Sequence, residues 1–231
     1  MHAAVRPPGR APGKGKEAGH RAARLEGGPG GEKDGKRRVH RRPASGDGVA
    51  NRDRILGAAL RLFTTRGFHH TPTAQISREA GVSTGTLFHY FPDKNTLIDE
   101  LYLSIQREVA EAIRARDDAT LPMRELLEGC FRRYIAWGVA NPGKVAFLDQ
   151  FYNSPSIGDD VKHEAHREFG WLSEMLATAI REGVVRDLPQ DFYFVMIPQV
   201  LSGILALIRE GRTTLTPDEI VRYGLALLLK E

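Results

Sequence analysis

Apolar positions recur at helical spacing along most of this chain. Ile55, Ala58, Ala59, Leu62 and Phe63 repeat at intervals of three and four, which puts them on one face of a helix. They predict a helix over about 49–65, closed by Arg66-Gly67, with Phe68 packing into the core beyond it. Thr71 or Thr73 then caps a second, shorter helix, with Pro72 at or beside its first position. Ala74, Ile76, Ala80 and Val82 supply small and apolar contacts that let two short helices cross closely. Gly81 falls where the first of these must stop, and glycine tolerates the left-handed backbone of such a stop. Ser83 is suited to cap the next helix, and Leu87 and Phe91, four apart, both fall on its inward face. Pro92 ends that helix, because a proline disfavours helical geometry in the residue before it, and Asp93 caps the one that follows.

The same spacing predicts further helices over 95–116, 121–141, 144–153, 159–182, 189–210 and 217–230. Asn141-Pro142-Gly143 punctuates one end, and Thr216-Pro217-Asp218-Glu219 is a capping box with proline at the first helical position. Alternating β-branched runs are scarce. The expected fold is all-α: a three-helix domain over 47–94, followed by a larger helical domain over 95–231.

The segment from Thr73 to Lys94 reads as a helix-turn-helix, the unit that lays its second helix in the major groove of DNA. A glycine turn between two helices is common and is weak by itself. The second helix adds Ser83, Thr84, Gly85 and Thr86 at its N-terminus, small residues of which most can hydrogen-bond. Free N–H groups and the helix dipole attract phosphate there, and small side chains let the backbone come close to the groove.

Two runs carry a family resemblance. One is Leu62-Phe63-Thr64-Thr65-Arg66-Gly67-Phe68; the other is Ala80-Gly81-Val82-Ser83-Thr84-Gly85-Thr86-Leu87-Phe88-His89-Tyr90-Phe91, with Lys94 opening the next helix. Residues 51–101 resemble the N-terminal domain of the TetR (tetracycline-repressor-like) family. The resemblance implies that Thr84 and Gly85 face base edges and that Phe88 lies against bases. It implies phosphate contacts for Thr73, Thr86, Tyr90 and Lys94, and places Ser83 and His89 on the same surface. Domain packing is the other reading for Phe88 and His89. The chain departs from the common pattern at Ala74, where many members have Arg, Lys or Ser, and at Thr84, where Lys is frequent. Phe88 replaces a common tyrosine and loses its hydroxyl, while keeping apolar contact with a thymine methyl. Specificity is therefore expected to lean on apolar contact, DNA shape and bridging water.

Charge sharpens this picture. Residues 1–46 hold 12 Lys and Arg against 4 Asp and Glu, a net of +8; with +4 overall, the remainder carries −4. The 46-residue stretch also has 10 glycines and 5 prolines and too few apolar residues to offset ordering, so it is expected to be a disordered basic tail. Its cluster at 36–42 either follows the phosphate backbone or is merely solvated; a start of translation downstream of the tail is a further reading. The basic N-terminus has no apolar run behind it and does not read as a secretory signal. The 41% hydrophobic content of the 231 residues suffices for a core. The lone Cys130 excludes an internal disulfide and fits a reducing, cytoplasmic setting; it reads as a small buried side chain. The apolar stretch 192–208 approaches membrane-spanning length but carries Pro198, Gln199 and Ser202. A buried interface helix fits it better than a membrane span.

Two features of the second half point to partners. Ile197, Leu201, Ile204, Leu205 and Ile208 form one stripe, and Ile220, Tyr223 and Leu227 another; Ser202, Gly203, Ala206, Gly224 and Ala226 permit close helix approach. The resemblance implies a homodimer through these last two helices, with an intrachain core as the other reading. Two recognition helices about 34–36 Å apart would read a near-palindromic double-stranded operator. Aromatic residues also gather in the central helices, where the resemblance implies a pocket for a small organic ligand. Tyr134, Trp137, Phe151, Met175 and Met196 are the candidate ligand-binding residues, with ordinary core as the alternative.

His163 and His166 lie three apart on one helix face, but not in a zinc-hydrolase arrangement. With no phosphate loop, nucleophile elbow or cysteine cluster, neither an enzyme, a metal nor a cofactor is expected. The sequence points to a DNA-binding regulator, a repressor released by a ligand. The alternative is a ligand-independent architectural DNA-binding protein.

Overall fold

The computed structural model describes residues 45–114, 121–152, 154–211 and 213–230, with side chains from Gly48 onward. The basic tail and its cluster at 36–42 lie outside these residues, as do the predicted helix ends at Arg116 and Asn153.

Among the described residues the fold is helical, with no strand beyond an isolated antiparallel bridge between Val185 and Leu229. The first three helices are α1 (Ser45–Arg66), α2 (Thr73–Glu79) and α3 (Thr84–Tyr90). Their shared core is fully buried: Ile55, Ala58, Ala59 and Phe63 of α1 meet Ile76 of α2 and Leu87 of α3. Gly67 and Gly81, with φ of 79° and 67°, make the two turns. Neither threonine considered as a cap for α2 serves as one: Pro72 occupies the N-cap position without a side-chain bond. Thr71 is buried and donates instead to the carbonyl oxygens of Gly67 (2.8 Å) and Leu62 (3.3 Å), closing the loop behind α1.

The remaining helices are α4 (Lys94–Ile113), α5 (Met123–Ala140), α6 (Pro142–Phe151), α7 (Asp159–Glu168), α8 (Gly170–Arg181), α9 (Gln190–Glu210) and α10 (Pro217–Leu228). Asp93 caps α4 by accepting from the Thr96 amide at 2.7 Å, and this bond holds its carboxyl below the usual range. At the other end α4 stops at Ile113, where the Arg133 guanidinium donates to the Ile113 carbonyl at 2.9 Å. The capping box of α10 forms as expected from Thr216 and Glu219.

The single helix expected over 159–182 is two helices. The backbone breaks at Phe169 (φ −102°, ψ 14°). The break lets α7 pack on α4 while α8 packs on α5 and α9, which one straight helix could not do. The C-terminal helix likewise ends early, because Leu229 turns extended to pair with Val185 and the Lys230 amide donates to Val184.

Candidate nucleic-acid interface and internal cavity

Helix α3 is held by its own N-terminus. Ser83 Oγ accepts from the Thr86 amide at 3.0 Å and shares a 2.8 Å hydrogen bond with Thr86 Oγ1. Thr84 Oγ1 lies 3.2 Å from Ser77 Oγ, which also donates to the Ala74 carbonyl, so a hydroxyl chain ties α3 to α2. Arg61 and Glu79 (2.8 Å) join α1 to α2 on the outside. With Leu87 buried beneath it, α3 presents Thr84, Gly85, Phe88 and His89 outward, and Ala74 is exposed beside them on α2. Phe88 is 43% exposed, an uncommon position for a large apolar ring. His89 stands edge-on to Tyr90. Thr73, Thr86 and Tyr90 are half-buried around the rim, and Tyr90 packs against the core.

Lys94, expected at a phosphate, packs against the loop behind α1 in the DNA-free chain. Its ammonium donates to the Phe68 carbonyl and lies 4.3 Å from the Phe68 ring centre and 6.0 Å from that of Phe63. Burial there pushes its pKa down. The side chain tethers the start of α4 to the loop behind α1, where carbonyl and aromatic faces offset its charge.

A cavity of about 280 Å³ opens between α4, α5, α6, α7, α8 and α9. Its polar wall includes Tyr102 and Gln106 of α4, Tyr134 of α5, Asp149 and Tyr152 at the end of α6, and Ser202 of α9. Its apolar wall includes Val109, Ile113, Leu172, Leu176 and Phe194. Burial, and secondarily the Asp149 carboxylate, push the Tyr134 hydroxyl up to about 12.

Of the five candidate ligand residues, Tyr134 alone lines this cavity. Trp137 is buried and its Nε1 donates to Glu108 of α4 at 2.9 Å. The same carboxylate takes Lys144 of α6 at 2.6 and 2.5 Å. Burial pushes the Glu108 pKa up, but bonds from Lys144 and Trp137 outweigh it and hold the carboxyl below its ordinary value. Phe151 packs on Phe147 (4.7 Å between ring centres) and on Phe63 of α1 (6.3 Å), so it joins α6 to α1. Met175 is half-buried away from the cavity, and Met196 is exposed on the outer side of α9. Tyr152, one of the aromatic residues gathered in the central helices, also lines the cavity, while Tyr102, Gln106 and Asp149 were not among those expected. One signal was present: Tyr102 and Gln106 are a polar pair at i, i+4 on the otherwise apolar face of α4.

The α9 stripe also faces otherwise than expected. Leu201, Ile204 and Leu205 are buried within the chain, with Ile197 and Ile208 partly buried. Gly224 of α10 belongs to that inner contact, since a Cβ there would lie 2.4 Å from Ile204 Cδ1 and 2.9 Å from Phe131 Cζ. The opposite side of the pair stays apolar and exposed: Phe192, Val195, Met196, Gly203 and Leu207 on α9, and Tyr223, Ala226 and Leu227 on α10. By length and composition α9 could cross a membrane, as can many interface and core helices. His163 and His166 are both exposed, and no group of three metal-ligating side chains occurs among the described residues.

The family model described as bacterial regulatory proteins, tetR family, matches residues 55–101. Among curated relatives, the HTH-type transcriptional regulator BetI of Cronobacter sakazakii (strain ATCC BAA-894) is 36% identical over 137 residues, covering 57% of this chain and 68% of that protein. BetI of Escherichia coli O45:K1 (strain S88 / ExPEC) is 36% identical over 121 residues, covering 50% of this chain and 62% of that protein. The chain thus spans less than two thirds of the latter relative's length. Among solved structures, a tetR family transcription regulator from Shewanella sp. PV-4 superposes with a TM-score of 0.72 at 29% identity, covering 78% of this chain and 99% of that one. A transcriptional regulator from Saccharomonospora viridis, solved in complex with choline, shares the fold with a TM-score of 0.60 at 20% identity, covering 79% of this chain and 100% of that one.

Proposed function

The chain belongs to the tetR family of bacterial regulatory proteins, and from that premise we propose that it is a cytoplasmic transcriptional repressor, without catalytic activity, that a small organic ligand releases from DNA. Residues 47–94 form its DNA-binding part and residues 95–231 its ligand-binding and dimerisation part. The observation that carries the DNA-binding role is α3: a capped helix, anchored by buried Leu87, with Thr84, Gly85, Phe88 and His89 turned outward. That arrangement suits insertion in a major groove, with the Ser83–Thr86 N-terminus against phosphate. The exposed apolar face of α9 and α10 supports a homodimer, whose two α3 helices read a near-palindromic operator. Such a face is also what a protein–protein interface needs and a monomer rarely leaves bare.

The route from ligand to DNA runs through α4. One end of this helix supplies Tyr102, Gln106, Val109 and Ile113 to the cavity, and the other is fastened to the loop behind α1 by Lys94. A ligand that prefers a shifted α4 favours the state in which the two α3 helices no longer match the operator. That the Saccharomonospora viridis neighbour was solved in complex with choline supports a small organic ligand for a chain of this fold. Selection of bound DNA from a random pool tests the proposal. An inverted-repeat consensus supports the repressor; binding without sequence preference favours an architectural role and overturns it. Repeating the selection with small organic molecules tests release.

A further inference from the structure

The hydroxyl groups at the start of α3 are engaged within the protein. Ser77 of α2 is 2% exposed, and its Oγ donates to the Ala74 carbonyl at 3.1 Å. Thr84 Oγ1 lies 3.2 Å from the same Oγ. Each hydroxyl carries one hydrogen. Ser77 has given its own to Ala74, so the hydrogen between Ser77 and Thr84 is that of Thr84. Thr84 therefore keeps none to offer a base edge. Its Cβ is branched, and with Oγ1 turned in to buried Ser77 the methyl branch is left to the exposed side. The neighbouring pair is engaged in the same way. Ser83 Oγ and Thr86 Oγ1 share a 2.8 Å bond that takes the hydrogen of one of them.

The surface that results is apolar. Thr84 and Phe88 stand four apart on α3, hence on one face, and both are exposed. Gly85 between them adds no side chain, and Ala74 adds an exposed methyl group from α2. In the major groove guanine presents the acceptors N7 and O6, and adenine N7 and thymine O4 also accept. A threonine without a free hydrogen satisfies none of these. Its lone pairs suit only the amino groups of adenine and cytosine, and its methyl group suits the C5-methyl of thymine.

We infer that Ser77 is a positioning residue for operator readout: it holds the Thr84 hydroxyl inward, so that Thr84 reads the C5-methyl group of a thymine through its own methyl group. The inference rests on α3 being the DNA-reading helix. It adds a buried residue of α2, out of reach of DNA, to those that set specificity, and it names the branch of Thr84 that reads.

The test measures the affinity of the full chain for its selected operator and for copies in which each thymine of one half-site is replaced in turn by uracil, which lacks only the methyl group. Both duplexes meet the same preparation, so their affinity ratio is unaffected by a variant's stability. At one thymine the ratio is expected to be about 4-fold, the effect of one buried methyl group. There Thr84→Ser, which keeps the hydroxyl and loses the methyl, is expected to bring the ratio to about 1. Thr84→Val, which keeps a methyl and loses the hydroxyl, is expected to retain it, whatever the overall affinity. Ser77→Ala frees Thr84 to turn and donate. It is expected to lower the ratio toward 1 at this thymine and to spare the ratio at any thymine that Phe88→Ala identifies as its own. If no thymine has a ratio that Thr84→Ser abolishes, if Thr84→Val abolishes it too, or if Ser77→Ala leaves it unchanged, the inference is overturned. The reading role of α3 then stands so long as Phe88→Ala weakens operator binding. If Phe88→Ala and Thr84→Ser both leave operator affinity as it was, that role is overturned as well.

Discussion

The ammonium of Lys94 caps the carbonyl of Phe68 and rests over the same residue's ring, 4.3 Å from its centre. One residue of a loop thus holds the first residue of α4 by two faces at once. This contact joins the helix that lines the cavity to the loop that precedes α2. Lys94→Met removes the charged donor and leaves the Phe68 carbonyl with the Thr71 amide alone, at 3.3 Å, at a cost of about 1–3 kcal/mol. Thermal unfolding is expected to register that loss. The dependence of operator affinity on salt is expected to keep its slope; a slope reduced by about one would instead identify Lys94 as a phosphate contact.

Phe88 offers the opposite test. Its ring is exposed and supports no core, so Phe88→Ala is expected to leave stability within about 0.5 kcal/mol. Operator affinity is expected to fall by about 1–3 kcal/mol, and the preference for thymine at the contacted position to relax. Binding assays on operators substituted base by base measure both.

Glu108 gives a pH dependence of determinate sign. Its folded pKa is held below the ordinary 4.5, with Lys144 and Trp137 supplying the bonds that overcome burial. The stability it contributes is therefore fully present above about 4.5 and is lost as pH falls through the lower folded value. Acid titration followed by tryptophan fluorescence is expected to show the contact around Trp137 loosening only below that value. Glu108→Gln is expected to remove this step from the profile.

The outer face of α9 and α10 is tested at Leu227, which is 68% exposed, and Tyr223, which is 51% exposed. Neither supports the monomer's core, so Leu227→Glu is expected to spare folding while placing a charge within the proposed dimer interface. Sedimentation is expected to show a shift toward monomer, with operator binding falling in step. A Leu227→Glu protein that remains dimeric would move the interface elsewhere.

Local features of this chain were legible from its residues, and long-range ones were not. Gly67 and Gly81 take the positive φ expected of the turns, and Ser83, Asp93 and Thr216 cap the helices they precede. The Thr71/Thr73 choice failed because Thr71 bonds to Leu62 and Gly67, partners set by how the loop folds back. Phe169 looked like one more apolar position in a long helix. Its break arises from α4 on one side and α5 and α9 on the other, and no local residue announces that demand.

By itself, the sequence determined an all-α chain with a helix-turn-helix and a capped α3 bearing small residues and Phe88. Caps, turns and helical stripes arise from groups within about four residues of one another, and local chemistry suffices for them. Tertiary structure alone decided where the amphipathic surfaces face. It turned Lys94 onto Phe68 and Trp137 onto Glu108, placed Met196 outside, and buried Leu201 and Ile204 while leaving Tyr223 and Leu227 bare. A helix that is apolar on several sides has no local preference among them. The choice is made by packing against helices up to about a hundred residues away, and the same packing brought Tyr102, Tyr134 and Asp149 around one cavity.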